Sequence, residues 1–342
     1  MKIFKYIIVI LFITNNSFSK ELYYSDEYVI QFKSDNIQNK KEESINSIKY
    51  ISFKTLVNSI LTIEEYEKLN RILTINLINK FLFSININEE KINNKNYFSK
   101  VQIIYDNSKV IDYLISNNIN FVPYEPEKFL LIVFDQKLFS ENILSKENRF
   151  YEYLSSNKNK YKYFIIPKLD INDRYIIKKD DFYSKKIKNI EQLNNKYSNK
   201  YILLVHSISD LNDIKINSYV YRNDNFQMID TISFSEIKYE SFFKNLHNKA
   251  LNYWKNDNIV LTSKITNINC RIKTLNLIEL KKIKEIIEKN NIIRKINPRV
   301  ISYNNSTYDL FYYGKLDILI KSLKIDQLEL NSFENKCNIK IL

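Results

Sequence analysis

Phe129-Leu130-Leu131-Ile132-Val133-Phe134 is apolar at every position. A strand of this composition is buried on both faces, as the inner strands of α/β sheets are. Tyr201-Ile202-Leu203-Leu204-Val205 has the same character and predicts a second inner strand. Together the two stretches predict an α/β layer structure at the centre of the chain.

The segments around these strands complete a predicted central domain, residues 101–257. The helix expected furthest downstream carries apolar residues at spacings of four and three, which is typical of an amphipathic helix. The expected elements are a helix around Leu138 to Leu154, a strand from Tyr163 to Leu169, a polar basic loop from Asn172 to Lys188, a helix near Ile190 to Tyr197, strands from Ile214 to Val220 and Phe226 to Phe234, and a helix from Tyr239 to Tyr253. We therefore expect mixed strands layered with helices.

Residues 258–342 predict a ferredoxin-like βαββαβ domain. Its elements are the strand Ile259 to Ile268, the helix Leu277 to Ile287, the strands Ile292 to Ser302 and Thr307 to Tyr313, the helix Leu316 to Leu323 and the strand Leu328 to Ile341. In that topology the first and last strands are antiparallel neighbours. Cys270 ends the first and Cys337 lies in the last, so we expect a disulfide between them. Two small buried hydrophobic residues are the alternative.

Residues 20–100 predict an N-terminal α+β region with two helices on a small sheet. Ile45 to Ile60 indicates the first helix, and Thr62 with Glu65 forms a capping-box signature for the second. The fold class expected for the whole chain is therefore α+β with α/β. It combines N-terminal helices on a small sheet, a central mixed α/β layer domain and a C-terminal ferredoxin-like domain.

Residues 1–19 have the three zones of a secretory signal peptide. These zones are a positive start (Met1–Lys5), an apolar run (Tyr6–Ile13) and a polar end (Thr14–Ser19). Ser17 and Ser19 are small residues two apart, which predicts cleavage between Ser19 and Lys20. The apolar run is well short of the roughly 20 residues that span a bilayer. We expect an exported, periplasmic protein, with an uncleaved anchor as the alternative.

The composition argues against disorder, because 44% of the residues are hydrophobic. The formal net charge of +13 is typical of proteins with anionic partners. However, Lys, Asn, Ile, Tyr and Phe dominate the chain, whereas Gly (1) and Pro (4) almost vanish. AT-rich coding produces that bias without selection for binding, so we favour the compositional explanation of the charge.

The residue counts exclude several chemistries. Gly314 is the single glycine, which excludes a phosphate-cradling loop, a dinucleotide fingerprint and a nucleophile elbow. His206 and His247 have no ligand-spaced companions, and we find no zinc or calcium pattern. Ser207 and Ser209 follow His206, but neighbours along a strand alternate faces and do not converge on a triad. We therefore expect no catalytic residues, no metal and no cofactor.

Two acidic residues stand out near the predicted strand that ends at Leu169. Asp170 and Asp173 place two carboxylates there, which is the residue pair that a carboxylate-dependent envelope hydrolase needs. A turn with solvated acids is the commoner explanation of such a pair.

A basic stretch follows these acids. Its cations are Arg174, Lys178, Lys179, Lys185, Lys186 and Lys188. They surround Tyr175, Phe182 and Tyr183, and basic residues interleaved with aromatics suit an anionic polymer or a membrane surface. Asp180 and Asp181 reduce the local charge, so a solvated loop is the commoner explanation.

Short motifs through most of the chain carry a resemblance. They are Lys100 to Asp106 followed by Val110 and Leu114, Pro126 before Leu130 to Phe134, Ile166 to Asp170 followed by Asp173, Tyr201 to Ser207, and Leu310 to Gly314 followed by Leu316 and Leu319. Together they resemble the exported proteobacterial proteins grouped as domain-of-unknown-function family 2066. Gly314 matches a glycine of that family at a strand-to-helix step, which indicates a tight backbone bend. This chain lacks the family's usual tryptophan ahead of Pro126 and most of its turn glycines.

The resemblance implies an envelope protein with no established activity and no catalytic residues to carry over. The central block is also similar in element order to small α/β domains of periplasmic accessory proteins, such as the N-terminal domain of the Tol-system propeller protein and the outer-membrane activators of cell-wall synthases. We therefore predict a periplasmic, non-enzymatic binding or scaffold protein with an envelope protein as partner. A hydrolase using Asp170 and Asp173, or a binder of anionic polymers or membranes through residues 174–188, is the alternative. We expect no nucleic acid partner.

Overall fold

The computed structural model describes residues 21–178, 180–181, 187–198, 200–210, 213–222, 225–302, 305–334 and 336–342. Helices alternate with antiparallel and mixed sheets, so the predicted mixed class of α and β structure is confirmed. The chain forms two compact units. Unit 1 combines the part up to Glu125 with the part from Asn258 onwards, and unit 2 is Pro126–Asp257.

The N-terminal part of unit 1 packs helices against a small antiparallel sheet in the order β1-β3-β2. Its elements are β1 (Tyr28–Lys33), α1 (Ile37–Ile60), α2 (Ile63–Asn70), α3 (Ile75–Lys80), β2 (Leu82–Asn93), β3 (Asn96–Tyr105) and α4 (Asn107–Ser116). Polar side chains start the helices: the Thr62 side chain accepts a hydrogen bond from the Glu65 amide at 3.4 Å, and Asp106 does the same for the Lys109 amide at 3.2 Å.

The domain boundary predicted at residue 101 is wrong. Val101 lies inside β3, where it pairs with Tyr28 on one side and with Ile87 on the other, and its side chain is fully buried. A strand paired on both sides is the middle of a sheet, so a domain does not end there. The observed division lies between Glu125 and Pro126.

Unit 2 is built on a sheet in the order β5-β4-β7-β8-β9, with β6 paired to β4. Its elements are β4 (Phe129–Lys137), β5 (Ser140–Ile143), α5 (Arg149–Ser156), β6 (Phe164–Ile165), α6 (Ile171–Ile176), α7 (Ile187–Lys196), β7 (Tyr201–Ser209), β8 (Ile214–Arg222), β9 (Asn225–Phe234) and α8 (Tyr239–Asp257). The strands β4 and β7 are parallel, and residues 129–134 and 201–205 are buried throughout, as their composition predicts.

The helix predicted from Leu138 to Leu154 is wrong in its first half. The chain instead turns back as β5, which pairs antiparallel with β4. Leu144 then has φ 45°, a left-handed conformation that ends the extended chain. The Asn148 side chain accepts a hydrogen bond from the Phe150 amide at 3.0 Å and starts α5 only there.

The strand predicted from Tyr163 to Leu169 and the loop predicted from Asn172 also differ from the structure. Pairing with β4 ends at Ile165, Pro167 has no amide hydrogen for a ladder, and Leu169 has φ 59°. Asp170 then caps α6, which occupies the beginning of the predicted loop.

The C-terminal part of unit 1 is a sheet in the order β11-β12-β10-β14-β13 with two helices. Its described elements are β10 (Ile265–Lys273), α9 (Leu277–Lys289), β11 (Ile293–Val300), β12 (Asn305–Tyr313), α10 (Leu316–Ile325), β13 (Leu328–Phe333) and β14 (Lys336–Ile341).

The ferredoxin-like order predicted here is wrong in its last strand. Leu328 to Ile341 is a hairpin of two antiparallel strands. The side chains directly after Leu330 are exposed, and the chain reverses near Glu334, which has φ 45°. The returning strand β14 lies between β13 and β10 and runs parallel to β10. The predicted first strand also differs. It begins at Ile265, because Val260 makes a separate bridge with Phe121.

Gly314 links β12 to α10 with φ 85°. A Cβ there would lie 3.5 Å from the Cα of Val260, an ordinary contact, so the backbone conformation is the constraint. We expect Gly314→Ala to lower the free energy of unfolding of unit 1 by about 1–2 kcal/mol, and Gly314→Asn to lower it less, because Asn tolerates the left-handed region. Urea denaturation followed by far-UV circular dichroism measures both. Equal losses would contradict the backbone explanation.

Candidate functional site

A buried carboxylate lies at the start of α6 in unit 2. The Asp173 side chain is fully buried. Its Oδ1 pairs with Lys196 Nζ at 2.5 Å, and its Oδ2 accepts hydrogen bonds from the Tyr197 hydroxyl at 2.6 Å and the Leu169 amide at 3.2 Å. The solvated turn expected from the sequence is therefore wrong for Asp173.

Asp170, which is partly exposed, is the neighbour of this group. It caps α6 by accepting a hydrogen bond from the Asp173 amide at 2.9 Å, and it lies 3.5 Å from Lys196 Nζ. The hydrogen bond from that amide lowers the pKa of the Asp170 carboxyl, and the charge of Lys196 lowers it further. The hydrogen bond to Asp173 raises the pKa of Lys196. Both acids thus accept a hydrogen bond from a backbone amide and pair with Lys196.

Tyr197 completes this cluster. Its hydroxyl donates to Asp173 and accepts a hydrogen bond from the Lys168 amide at 2.6 Å. Burial, with the hydrogen bond to Asp173 second, raises the pKa of Tyr197 to about 12, so it stays a hydrogen-bond donor at neutral pH. The cluster therefore fastens the end of α7 to the segment that leads into α6.

A second ion pair with a buried carboxylate, which the sequence did not predict, lies at the carboxyl ends of β4 and β7. Arg149 Nη2 is 2.9 Å from Asp135 Oδ1, 2.7 Å from Ser209 Oγ and 3.5 Å from Ser207 Oγ. Within the described part of the chain, Asp135 Oδ2 and Arg149 Nε are buried without a hydrogen-bond partner. Asp135 follows the apolar run directly, and its side chain lies on the same side of β4 as that of Val133. This position was the available sequence signal that the acid is buried.

The two histidines contact different aromatic rings, His206 that of Phe134 and His247 those of Tyr163 and Phe164. His206 stacks on Phe134 with ring centroids 4.8 Å apart, and its Nε2 lies 3.1 Å from Gln136 Oε1. Ser207 and Ser209 contact Arg149. They lie on the face of β7 opposite to His206, so His206 does not form a triad with them. Burial lowers the pKa of both His206 and His247. Among the described residues, no group of three or more His, Cys, Asp or Glu is arranged to hold a metal ion.

Lys255 is a further buried titratable group, near the end of α8. Its side chain is 5% exposed, and burial lowers its pKa to about 8. A lysine with this pKa is partly neutral at pH 7 to 8 and is chemically a nucleophile, but its burial keeps a substrate away from it.

The predicted basic loop is only partly described. Lys179, Lys185 and Lys186 lie outside the described residues. Arg174 belongs to α6 and donates from Nε to the Leu144 carbonyl at 3.3 Å, whereas Lys178 and Lys188 are exposed. The predicted cleavage position, Ser19 and Lys20, also lies outside the described residues.

Asp181, which the sequence analysis placed in a solvated loop, is buried in the structure. Its Oδ2 accepts hydrogen bonds from the Lys178 amide and the Asn189 side chain, both at 2.9 Å. Asp181 therefore links the backbone of Lys178 to Asn189 in α7. The solvated position predicted for this acid is wrong.

Cys270 and Cys337 are disulfide-bonded. They are direct partners in the register of β10 and β14, with Cα atoms 4.3 Å apart, and both side chains are buried. The strands are parallel and not antiparallel as predicted, because β14 is the returning strand of the C-terminal hairpin.

Comparison with known proteins adds little to this geometry. No family model matches the chain, and no curated protein matches it. Among solved structures it is similar to the LpoB C-terminal domain from Salmonella enterica, at 10% sequence identity over 38% of this chain and 97% of that chain, with a TM-score of 0.21. This TM-score is too low to indicate a shared fold.

Proposed function

We propose that the protein is exported on residues 1–19 and acts in the periplasm as a non-enzymatic binding or scaffold protein of the cell envelope. The disulfide between Cys270 and Cys337 is the observation that carries this proposal. Disulfides form and persist in oxidising compartments and are rare in the cytosol. The signal-peptide pattern supplies the export route. The resemblance to family 2066 stays a prediction and points to the same compartment.

The geometry around Asp170 and Asp173 argues against hydrolysis by this pair. A hydrolase with two carboxyl groups needs one of them to hold a proton near neutral pH and both to reach the substrate. Asp173 is buried with both oxygens engaged, and the hydrogen bond from its amide lowers the pKa of Asp170. These contacts support a structural role for the pair. None of the described helices combines the length and apolar character needed to cross a membrane.

Export is tested by expressing the full chain with a C-terminal tag in a Gram-negative host. We expect the protein in the periplasmic fraction, with a mature N-terminus at Lys20 and no thiol that reacts with maleimide before reduction. As the control, replacing Ser17 and Ser19 with Leu removes the small residues that the peptidase reads, so the precursor should persist. A full-length cytoplasmic chain with two reactive thiols would overturn the proposal.

The binding role is tested on the same cells by chemical crosslinking. We expect a recurrent envelope protein in the crosslinked material from the periplasmic fraction, with a fixed set of crosslinked lysines on this chain. Hydrolysis of a cell-wall polymer by the purified protein, abolished by Asp170→Asn without loss of folding, would contradict the non-enzymatic assignment.

A further inference from the structure

One face of the C-terminal sheet in unit 1 carries a group of exposed polar side chains. Along β10, Ile268, Cys270 and Ile272 are buried, whereas the intervening Arg271 and Lys273 are exposed. Because side chains alternate between the faces of a strand, the exposed residues share one face of the sheet.

The neighbouring strands extend this face. Arg271 pairs with Thr307 of β12 and with Asn338 of β14, and Asn338 pairs with Asn331 of β13. Directly paired residues point to the same side of a sheet, so these strands form one continuous surface. We define the polar sheet face by its exposed members Asn267, Arg271, Lys273, Asn331, Lys336 and Asn338.

The acids on this surface are already neutralised. Asp309 accepts hydrogen bonds from Arg299 Nε at 2.5 Å and from Asn269 Nδ2 at 3.1 Å. Glu329 pairs with Lys340 at 2.7 Å.

The remaining cations have no such compensation. No ion pair or hydrogen bond to another described residue engages the side chains of Arg271, Lys273 or Lys336. Their charges are therefore free to meet an external anion, and the amides of Asn267, Asn331 and Asn338 flank them.

We propose that the polar sheet face binds an acidic polysaccharide, a sugar chain that carries carboxylates. The guanidinium of Arg271 fits a carboxylate through paired N–H groups, and lysines attract it as point charges. Asparagine amides both donate and accept hydrogen bonds, which matches sugar hydroxyls. Aromatic rings also lie on this face: Phe333, which pairs with Lys336, is 76% exposed, and Phe311 pairs with Asn267. Such rings stack on nucleic-acid bases, so single-stranded DNA is the competing polymer in the experiment.

This proposal names a ligand class for the proposed function. It rests on that function because only an exported protein meets such polymers. The chemistry itself is testable on the purified full chain. Failure to bind would leave the localisation result unchanged, and a cytoplasmic location would not alter the affinity measured in solution. The two proposals therefore fail separately.

Polygalacturonate is the probe, with neutral dextran and single-stranded DNA as comparison polymers, in biolayer interferometry at several salt concentrations. We expect binding to polygalacturonate that weakens as salt rises, because exposed charges are screened. The triple variant Arg271→Gln, Lys273→Gln, Lys336→Gln should bind about tenfold more weakly or worse, given the energies of exposed ion pairs.

The matched control removes the same charge from an exposed helix of the same unit, by Lys281→Gln, Lys282→Gln and Lys289→Gln. Its affinity should stay close to that of the unchanged protein, and circular dichroism should show both variants folded. Equal losses in the two triple variants would reveal attraction to net charge alone and overturn the proposal. Tighter binding to DNA than to polygalacturonate, or no binding to polygalacturonate, would overturn it as well.

Discussion

Replacing Cys270 and Cys337 with alanine is expected to lower the free energy of unfolding of unit 1 by about 4 kcal/mol. The two residues are 67 positions apart in the sequence. A crosslink over a loop of this length removes conformational entropy from the unfolded chain, and the chain-entropy relation gives about 4 kcal/mol for it. Alanine is the better replacement because both side chains are buried and serine would place a hydroxyl group there.

The chain offers a reporter that separates the units. Trp254 is the single tryptophan of the sequence, lies in unit 2 and is fully buried. Its fluorescence therefore follows the unfolding of unit 2, whereas far-UV circular dichroism follows both units. Urea denaturation of the double variant should show an earlier circular dichroism transition for unit 1.

The fluorescence midpoint of Trp254 is the internal control. We expect it to stay in place in the double variant, and reduction of the unchanged protein should reproduce the variant's behaviour. A double variant with unchanged circular dichroism and fluorescence transitions would show that the crosslink does not constrain the unfolded chain.

The central strands could be predicted from the sequence because their composition is a local signal. Phe129 to Phe134 and Tyr201 to Val205 are apolar without alternation, and that pattern identifies a strand buried on both faces. The C-terminal strands, in contrast, were predicted as one strand because no glycine or proline separates them. The buried positions nevertheless shift from even numbers (Leu328 and Leu330) to odd numbers (Cys337 and Ile339) across the turn. The left-handed backbone at Glu334 could not be predicted from the sequence, because non-glycine residues adopt this conformation only occasionally and glutamate does not favour it.

The partners of the buried acids could not be predicted because they are distant in the sequence. Asp135 is paired with Arg149, and Asp173 with Lys196 and Tyr197. An isolated acid beside a turn residue indicates a solvated position by composition alone. Only the fold brings the compensating cation to it, and a buried charge requires such a partner.

Asp173→Ala is the second variant with a large expected effect. The cation left behind, Lys196, is 31% exposed and keeps Asp170 at 3.5 Å, so the lost ion pair alone costs little. A buried donor left without its acceptor costs about 1–3 kcal/mol. Here the change removes the acceptor for the Tyr197 hydroxyl and for the Leu169 amide. We therefore expect the Trp254 fluorescence midpoint to fall sharply in urea, while the disulfide-dependent transition of unit 1 stays in place.

Asp170→Ala is the matched control, because it removes a neighbouring carboxylate that is 41% exposed and serves as a helix cap. Its loss of stability should be much smaller. Asp173→Asn, which keeps the volume and one acceptor oxygen but not the charge, should fall between the two. If Asp173→Ala is no less stable than Asp170→Ala, the buried carboxylate is not held for the fold. The hydrolase alternative with Asp170 and Asp173 would then be open again, whereas the export proposal, which the disulfide carries, would not change.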